Sequence, residues 1–91
     1  MRIKFYGILR DEVGNASIPF LAEPGETVGH LLHRITDRYP RLHKRIFAPD
    51  GTIQPFVMIS LNGVDTRHAG GLATLVSQND DLLIFPPGAG G

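Results

Sequence analysis

Three observations predict an α+β fold, a mixed sheet with one main helix packed across one face. Alternating apolar residues mark strands near the start and in the middle of the chain, at 2–9 and 56–61, and a continuous apolar run marks one at the end, at 82–85. One intervening stretch carries Val28, Leu31, Leu32, Ile35 and Tyr39 at three- and four-residue spacing, the signature of a helix with a single buried face. At 91 residues, 42% hydrophobic and 20% charged, the chain suffices for one small core and is too apolar for disorder.

Each element has a local reason. Residues 2–9 place Ile3, Phe5, Gly7 and Leu9 on one side and Lys4, Tyr6 and Ile8 on the other, as a strand does. Residues 10–15 are charged and contain Gly14, so they read as a loop. Residues 16–21 make a second strand, which Pro19 assigns to an edge or a bulge, and the two strands form an N-terminal hairpin. Glu23-Pro24-Gly25-Glu26 breaks the chain, Thr27 offers a hydroxyl as helix N-cap, and Pro40 stops the helix. Residues 41–55 are irregular around a Pro49-Asp50-Gly51 turn. The strand at 56–61 points Val57, Ile59 and Leu61 to one face. Asn62-Gly63 then turns the chain into a short return strand at 64–67. A loop with one helical turn at 70–75 and a turn at Asn79-Asp80 lead to the last strand, 82–85, apolar on both faces.

Parity sorts the side chains into two faces. Ile3, Phe5, Val57, Ile59, Leu61, Leu82 and Ile84 lie under the helix. Tyr6, Ile8, Met58, Leu83 and Phe85 fall on the other face, where a solvated sheet is mostly polar. Five apolar residues there predict a contiguous protein-binding patch.

Residues 1–85 form the expected domain, followed by a tail, Pro86-Pro87-Gly88-Ala89-Gly90-Gly91. The prolines favour an extended exit, and the closing glycine pair has no Cβ to obstruct passage through a narrow cleft. The terminal carboxylate of Gly91 is then the functional atom, with Gly88, Ala89 and Gly90 as the segment a partner grips. On the tail alone, a functional end and a frayed one are equally good readings.

Composition excludes several classes. Net charge is zero, which gives no drive toward nucleic acid or a charged membrane. No apolar run is long enough to span a bilayer, and the start has no signal-peptide character, so a cytoplasmic protein is expected. Without cysteine there is no disulfide, thiolate metal site or thiol nucleophile. With Lys4 and Lys44 as its only lysines, the chain is poorly suited to side-chain-linked polymers. His30, His33 and Asp37 have metal-ligand spacing, but all avoid the apolar stripe and read better as a solvated helix face. His43 and His68 are isolated. Arg38, Arg41, Lys44 and Arg45 suit a helix C-terminus or an acidic groove on a partner better than nucleic acid. The terminal glycines lead into no helix and so form no phosphate loop. No catalytic constellation and no bound cofactor or metal is indicated.

Four segments together resemble the ubiquitin-like β-grasp sulfur carriers, the family of MoaD, ThiS and CysO. They are Phe56-Val57-Met58-Ile59-Ser60-Leu61-Asn62-Gly63, Gly71-Leu72-Ala73-Thr74, Asn79-Asp80-Asp81, and the run from Ile84 and Phe85 to Gly91. The phenylalanine, two prolines and closing glycine pair look like MoaD. Arg67-His68-Ala69-Gly70-Gly71-Leu72-Ala73-Thr74 looks closer to CysO. The resemblance implies a non-catalytic protein co-substrate. A ubiquitin-activating-type adenylyltransferase would use ATP to adenylate Gly91, and a sulfurtransferase or persulfide donor would convert it to a thiocarboxylate. Tyr6 and Phe85 match exposed aromatic positions that contact partners in MoaD-like members. The implied acceptor is the large subunit of molybdopterin synthase or a cysteine synthase-like enzyme, the latter with a metalloprotease that trims the product. A ubiquitin-like modifier joined to lysines through Gly91 is the alternative, and a β-grasp module that never uses its tail is a third reading.

Overall fold

In a computed structural model, residues 1–87 are described; the expectations for Gly88, Ala89, Gly90 and Gly91 fall outside them. The elements are β1 (Arg2–Phe5), α1 (Gly7–Val13), β2 (Ser17–Pro19), α2 (Val28–Arg38), α3 (His43–Ile46), β3 (Met58–Leu61), β4 (Val64–Asp65) and β5 (Asp81–Phe85). Single 3-10 turns occur at Pro40–Leu42, Thr66–His68 and Gly71–Ala73. The sheet runs β2-β1-β5-β3-β4. β1 and β5 pair in parallel at its centre, with Ile3 beside Leu82 and Phe5 beside Ile84. The other pairings are antiparallel, so the sheet is mixed as expected.

The α2 helix lies across one face because its apolar stripe matches that face. Val28, Leu31, Leu32 and Ile35 are buried together with Ile3, Phe5, Val57, Ile59, Leu82 and Ile84. Thr27 caps the helix by accepting the His30 backbone N–H at 3.1 Å, and the chain leaves helical geometry at Tyr39, before Pro40. The Tyr39 ring meets Phe5 edge-on at 6.5 Å. Asn62 and Gly63 both have positive φ, 52° and 86°, and connect Leu61 to its partner Val64. This is the two-residue hairpin that the Asn-Gly pair favours.

Two elements differ from the sequence reading. The strand expected at 2–9 ends at Phe5, and residues 7–13, read as strand and loop, form α1. Gly7 has φ +57°, a conformation that ends an extended strand. From there Leu9 turns into the core, and Gly14 closes the helix in left-handed geometry, its N–H bonding Arg10 O at 2.8 Å. β1 and β2 still pair antiparallel, joined by a helix rather than by a loop alone. The strand expected from Phe56 begins at Met58. Pro55 and Phe56 instead sit in a turn closed by Val57 N–H to Gln54 O at 3.2 Å. Proline at the second turn position and positive φ (70°) at the third describe a type II turn, here with Phe56 where glycine is usual. Phe56 is 84% exposed.

The last strand ends at Phe85, but Pro86 is still buried, and Pro87 is the first exposed residue beyond it. A Cβ on Gly7 would lie 3.0 Å from Pro86 Cγ, a tight contact that adds to the left-handed φ in favouring glycine there. We expect Gly7→Ala to cost about 1–2 kcal/mol from left-handed strain alone. Thermal melting reads this as a loss of about 4–8 °C per kcal/mol for a domain of this size.

Candidate functional site

The sheet face opposite α2 carries an aromatic row. Tyr6 follows β1 directly, and its N–H continues the ladder to Ile84 O at 3.3 Å. Its ring stacks on Phe85 at 4.3 Å between centroids with planes 12° apart, and Met58 pairs with Phe85 from the other side. One row along, Leu83 lies between Lys4 and Ser60. Tyr6, Met58, Leu83 and Phe85 are all half-buried: each presents an edge to solvent while its neighbours hold it in place. The structure therefore brings together four of the five residues expected on this face. Stacking adds to the ordinary burial of the pair and fixes the rotamer of Phe85, the residue just before the prolines.

Ile8 is the exception. It belongs to α1 rather than to a strand, because Gly7 has already turned the chain. It is 39% exposed and lies beside Pro86 and Pro87 in a cleft at the root of the tail. Lys44, Arg45 and Gln54 line the same cleft. The basic stretch after α2 is divided by the fold. Arg38 packs over the rings of Phe20 and Tyr39, at 5.9 and 5.4 Å, while Lys44 and Arg45 face the tail root.

The histidines do not assemble as their spacing allows. His33 stacks on Phe47 at 4.6 Å, and His43 tilts against the same ring at 5.2 Å. His30 Nδ1 lies 2.7 Å from Glu26 Oε2. Glu26, read in the sequence only as part of a chain break, is a fully buried carboxylate. It accepts the Glu23 N–H at 2.8 Å, and both of its oxygens accept from Arg34 Nη1, at 2.9 and 3.0 Å. Glu23, Glu26 and His30 could offer three ligand atoms to a metal ion, all within 4.8 Å of one another. Arg34 already supplies the cation there, and its Nε lies 3.5 Å from Glu23 as well. The cluster is a buried ion-pair network that ties the entry of α2 to the preceding loop.

Burial pushes the Glu26 pKa up, but the hydrogen bonds from Glu23 N–H, Arg34 and His30 outweigh it and leave the group below its ordinary 4.5. A carboxyl lowered on folding stabilises the fold above its unfolded pKa. That stabilisation is lost as pH falls below 4.5 through the folded value. We expect Glu26→Gln to lower stability at neutral pH and to flatten part of the acid limb, read from urea midpoints measured against pH.

The comparisons with known proteins agree with this architecture. The family model described as ThiS family matches residues 3–91. Small archaeal modifier protein 3 of Haloferax volcanii is 33% identical over 91 residues, covering 100% of this chain and 98% of that protein. Sulfur carrier protein CysO of Mycobacterium tuberculosis is 33% identical over 86 residues, covering 92% and 90%. The crystal structure of the Amycolatopsis orientalis BexX/CysO complex contains a chain with TM-score 0.81 and 28% identity, covering 99% of this chain and 98% of that one. The fold is ubiquitin-like β-grasp, shared with small sulfur carrier and modifier proteins. The chain belongs to the ThiS family. Among the described residues, no helix is long and apolar enough to cross a membrane.

Proposed function

We propose that this chain is a sulfur carrier that works through the carboxylate of Gly91. A carboxylate is a poor electrophile. Attack of one of its oxygens on the α-phosphorus of ATP expels pyrophosphate and gives an acyl-adenylate, whose AMP is a good leaving group. The terminal sulfur of a persulfide then attacks the carbonyl carbon and displaces AMP. A thiol cleaves the resulting S–S bond, leaving –C(O)S⁻ on the carrier and a disulfide on the donor side. The thiocarboxylate is a soft nucleophile that delivers sulfide without releasing it. A ubiquitin-type adenylyltransferase, a sulfurtransferase or persulfide donor, and an acceptor enzyme of the cysteine synthase or molybdopterin synthase type complete the cycle. A metalloprotease is added in the cysteine branch. The carrier itself contributes no catalytic group and binds no cofactor.

The observation that carries this reading is the Tyr6–Phe85 stack, flanked by Met58 and placed immediately before the tail. A partner that binds this row has Gly88, Ala89, Gly90 and Gly91 within reach of its active site. The likeness to a sulfur carrier protein over nine-tenths of both chains supports it, as does the solved complex that a similar CysO forms with BexX. The equal likeness to a small archaeal modifier protein favours a second reading, conjugation of Gly91 to lysines of other proteins. Both readings share the adenylation step.

Intact-protein mass spectrometry after incubation with the adenylating enzyme, ATP and a persulfide donor tests the carrier reading. The expected product gains the mass difference of sulfur for oxygen, localised to Gly91. An unmodified mass, together with isopeptide adducts in cell extract, would favour the modifier. Deleting Gly91 is expected to abolish sulfur transfer and leave the melting temperature unchanged; transfer by the shortened chain would overturn the mechanism. Phe85→Ala is expected to weaken partner binding by about 1–3 kcal/mol, as for an aromatic anchor at an interface. Calorimetric titration against the adenylating enzyme measures it. A loss confined to folding stability would mean that the ring serves the core alone.

A further inference from the structure

The cleft at the tail root has a volume of ≈ 460 Å³ and two kinds of wall. Ile8 and the two prolines are apolar, whereas Lys44 and Arg45 are cationic. The cations sit on α3, a single turn of helix that Gln54 clamps in place. Its Nε2 donates to Lys44 O and Phe47 O, both at 3.2 Å, and its backbone N–H donates to Ile46 O at 2.8 Å. Glu12 approaches Arg45, its Oε1 lying 3.5 Å from Arg45 Nη2. Among the described residues, two cations stand against one carboxylate, which leaves the cleft locally positive on a chain of zero net charge.

We propose that this cleft receives an acidic segment of the adenylating enzyme, a carboxylate seated between Lys44 and Arg45 with an apolar neighbour against Ile8 and Pro87. The inference rests on the carrier reading and adds a second contact to the aromatic row. Charge complementarity is one argument, and the length of the tail is the other. Four residues follow Pro87, which at full extension span about 14 Å. The screening length at physiological salt is about 8 Å, shorter than this span, so acidic groups at the solvent-exposed mouth of a tail channel act more weakly on a carboxylate at its far end than on Lys44 and Arg45 beside them. A channel that accepts the Gly91 carboxylate at its inner end cannot be acidic there, but its mouth can be. An acidic mouth facing Lys44 and Arg45 therefore orients the tail inward and steers the encounter.

The test is stopped-flow association of the full-length chain with the purified adenylating enzyme of the same organism across a salt series, with acyl-adenylate formation measured in parallel. Lys44→Glu and Arg45→Glu are compared with Arg67→Glu, a reversal outside the cleft, and thermal melting confirms that each variant is folded. Lys44→Gln replaces any reversal that does not fold. We expect each cleft reversal to slow association about tenfold at low salt and to lessen the salt dependence, and Arg67→Glu to change neither. Association within twofold of wild type, or an equal loss in Arg67→Glu, would overturn the proposal. A wild-type chain that forms no acyl-adenylate overturns the carrier reading as well. Normal activation with indifferent cleft variants overturns the cleft alone.

Discussion

The parallel pairing of β1 with β5 is the constraint on which the rest of the structure depends. It joins the first strand to the last, so the two ends of the sequence meet at the centre of the sheet. Its inner side carries Ile3, Phe5, Leu82 and Ile84, all but inaccessible and covered by α2. Its outer side carries Tyr6 against Phe85. Just beyond, Gly7 packs so closely on Pro86 that an added methyl would lie 3.0 Å from its Cγ. Because Pro86 is buried in a central strand's continuation, the direction in which the chain leaves the body is set by packing.

Stability and proposed activity are served by different sets of groups. The Glu26, Arg34 and His30 network fixes the start of α2, and nearby backbone bonds from Val28 N–H to Thr74 O and Val76 N–H to Glu26 O fasten the loop before β5. A buried carboxylate with several strong donors holds a segment in one geometry without adding much net stability over an apolar alternative. The tail root instead concentrates what a partner can use: an aromatic row, a proline ramp and two cations on a clamped helical turn. On the outer sheet face, apolar side chains exposed at their edges are held rigid by stacking and cross-strand pairing. Such a surface loses little conformational freedom on binding.

Much of this was legible in the sequence where the signal was local or strictly periodic. Thr27 and Pro40 mark the bounds of α2 because capping and the missing proline N–H act within one turn. Asn62-Gly63 marks its hairpin because few residues adopt two consecutive positive φ angles cheaply. Parity placed Met58, Leu83 and Phe85 correctly because side-chain direction in a strand has a period of two. It misplaced Ile8 because a chain alternating through Gly7 and Leu9 looks the same whether or not Gly7 turns it. The paired signal, Leu9 with Val13 followed by Gly14, is short and competes with the strand pattern. Phe56 was misread for a related reason: nothing in its identity announces a left-handed conformation that glycine normally takes.

The sequence by itself determined the β-grasp class, the inward and outward sets on its main strands, and a terminus of two glycines that carries the family resemblance. Tertiary structure decided which distant residues share a site. Glu26 becomes a buried ion-pair centre only when Arg34 and His30 come round on the helix beside it. Lys44, Arg45 and Ile8 become neighbours of Pro86 and Pro87 only because α1 and α3 meet at the end of β5. Capping, turns and periodicity act over a few residues and can be read along the chain. A site built from residues some forty positions apart in sequence depends on how the elements pack.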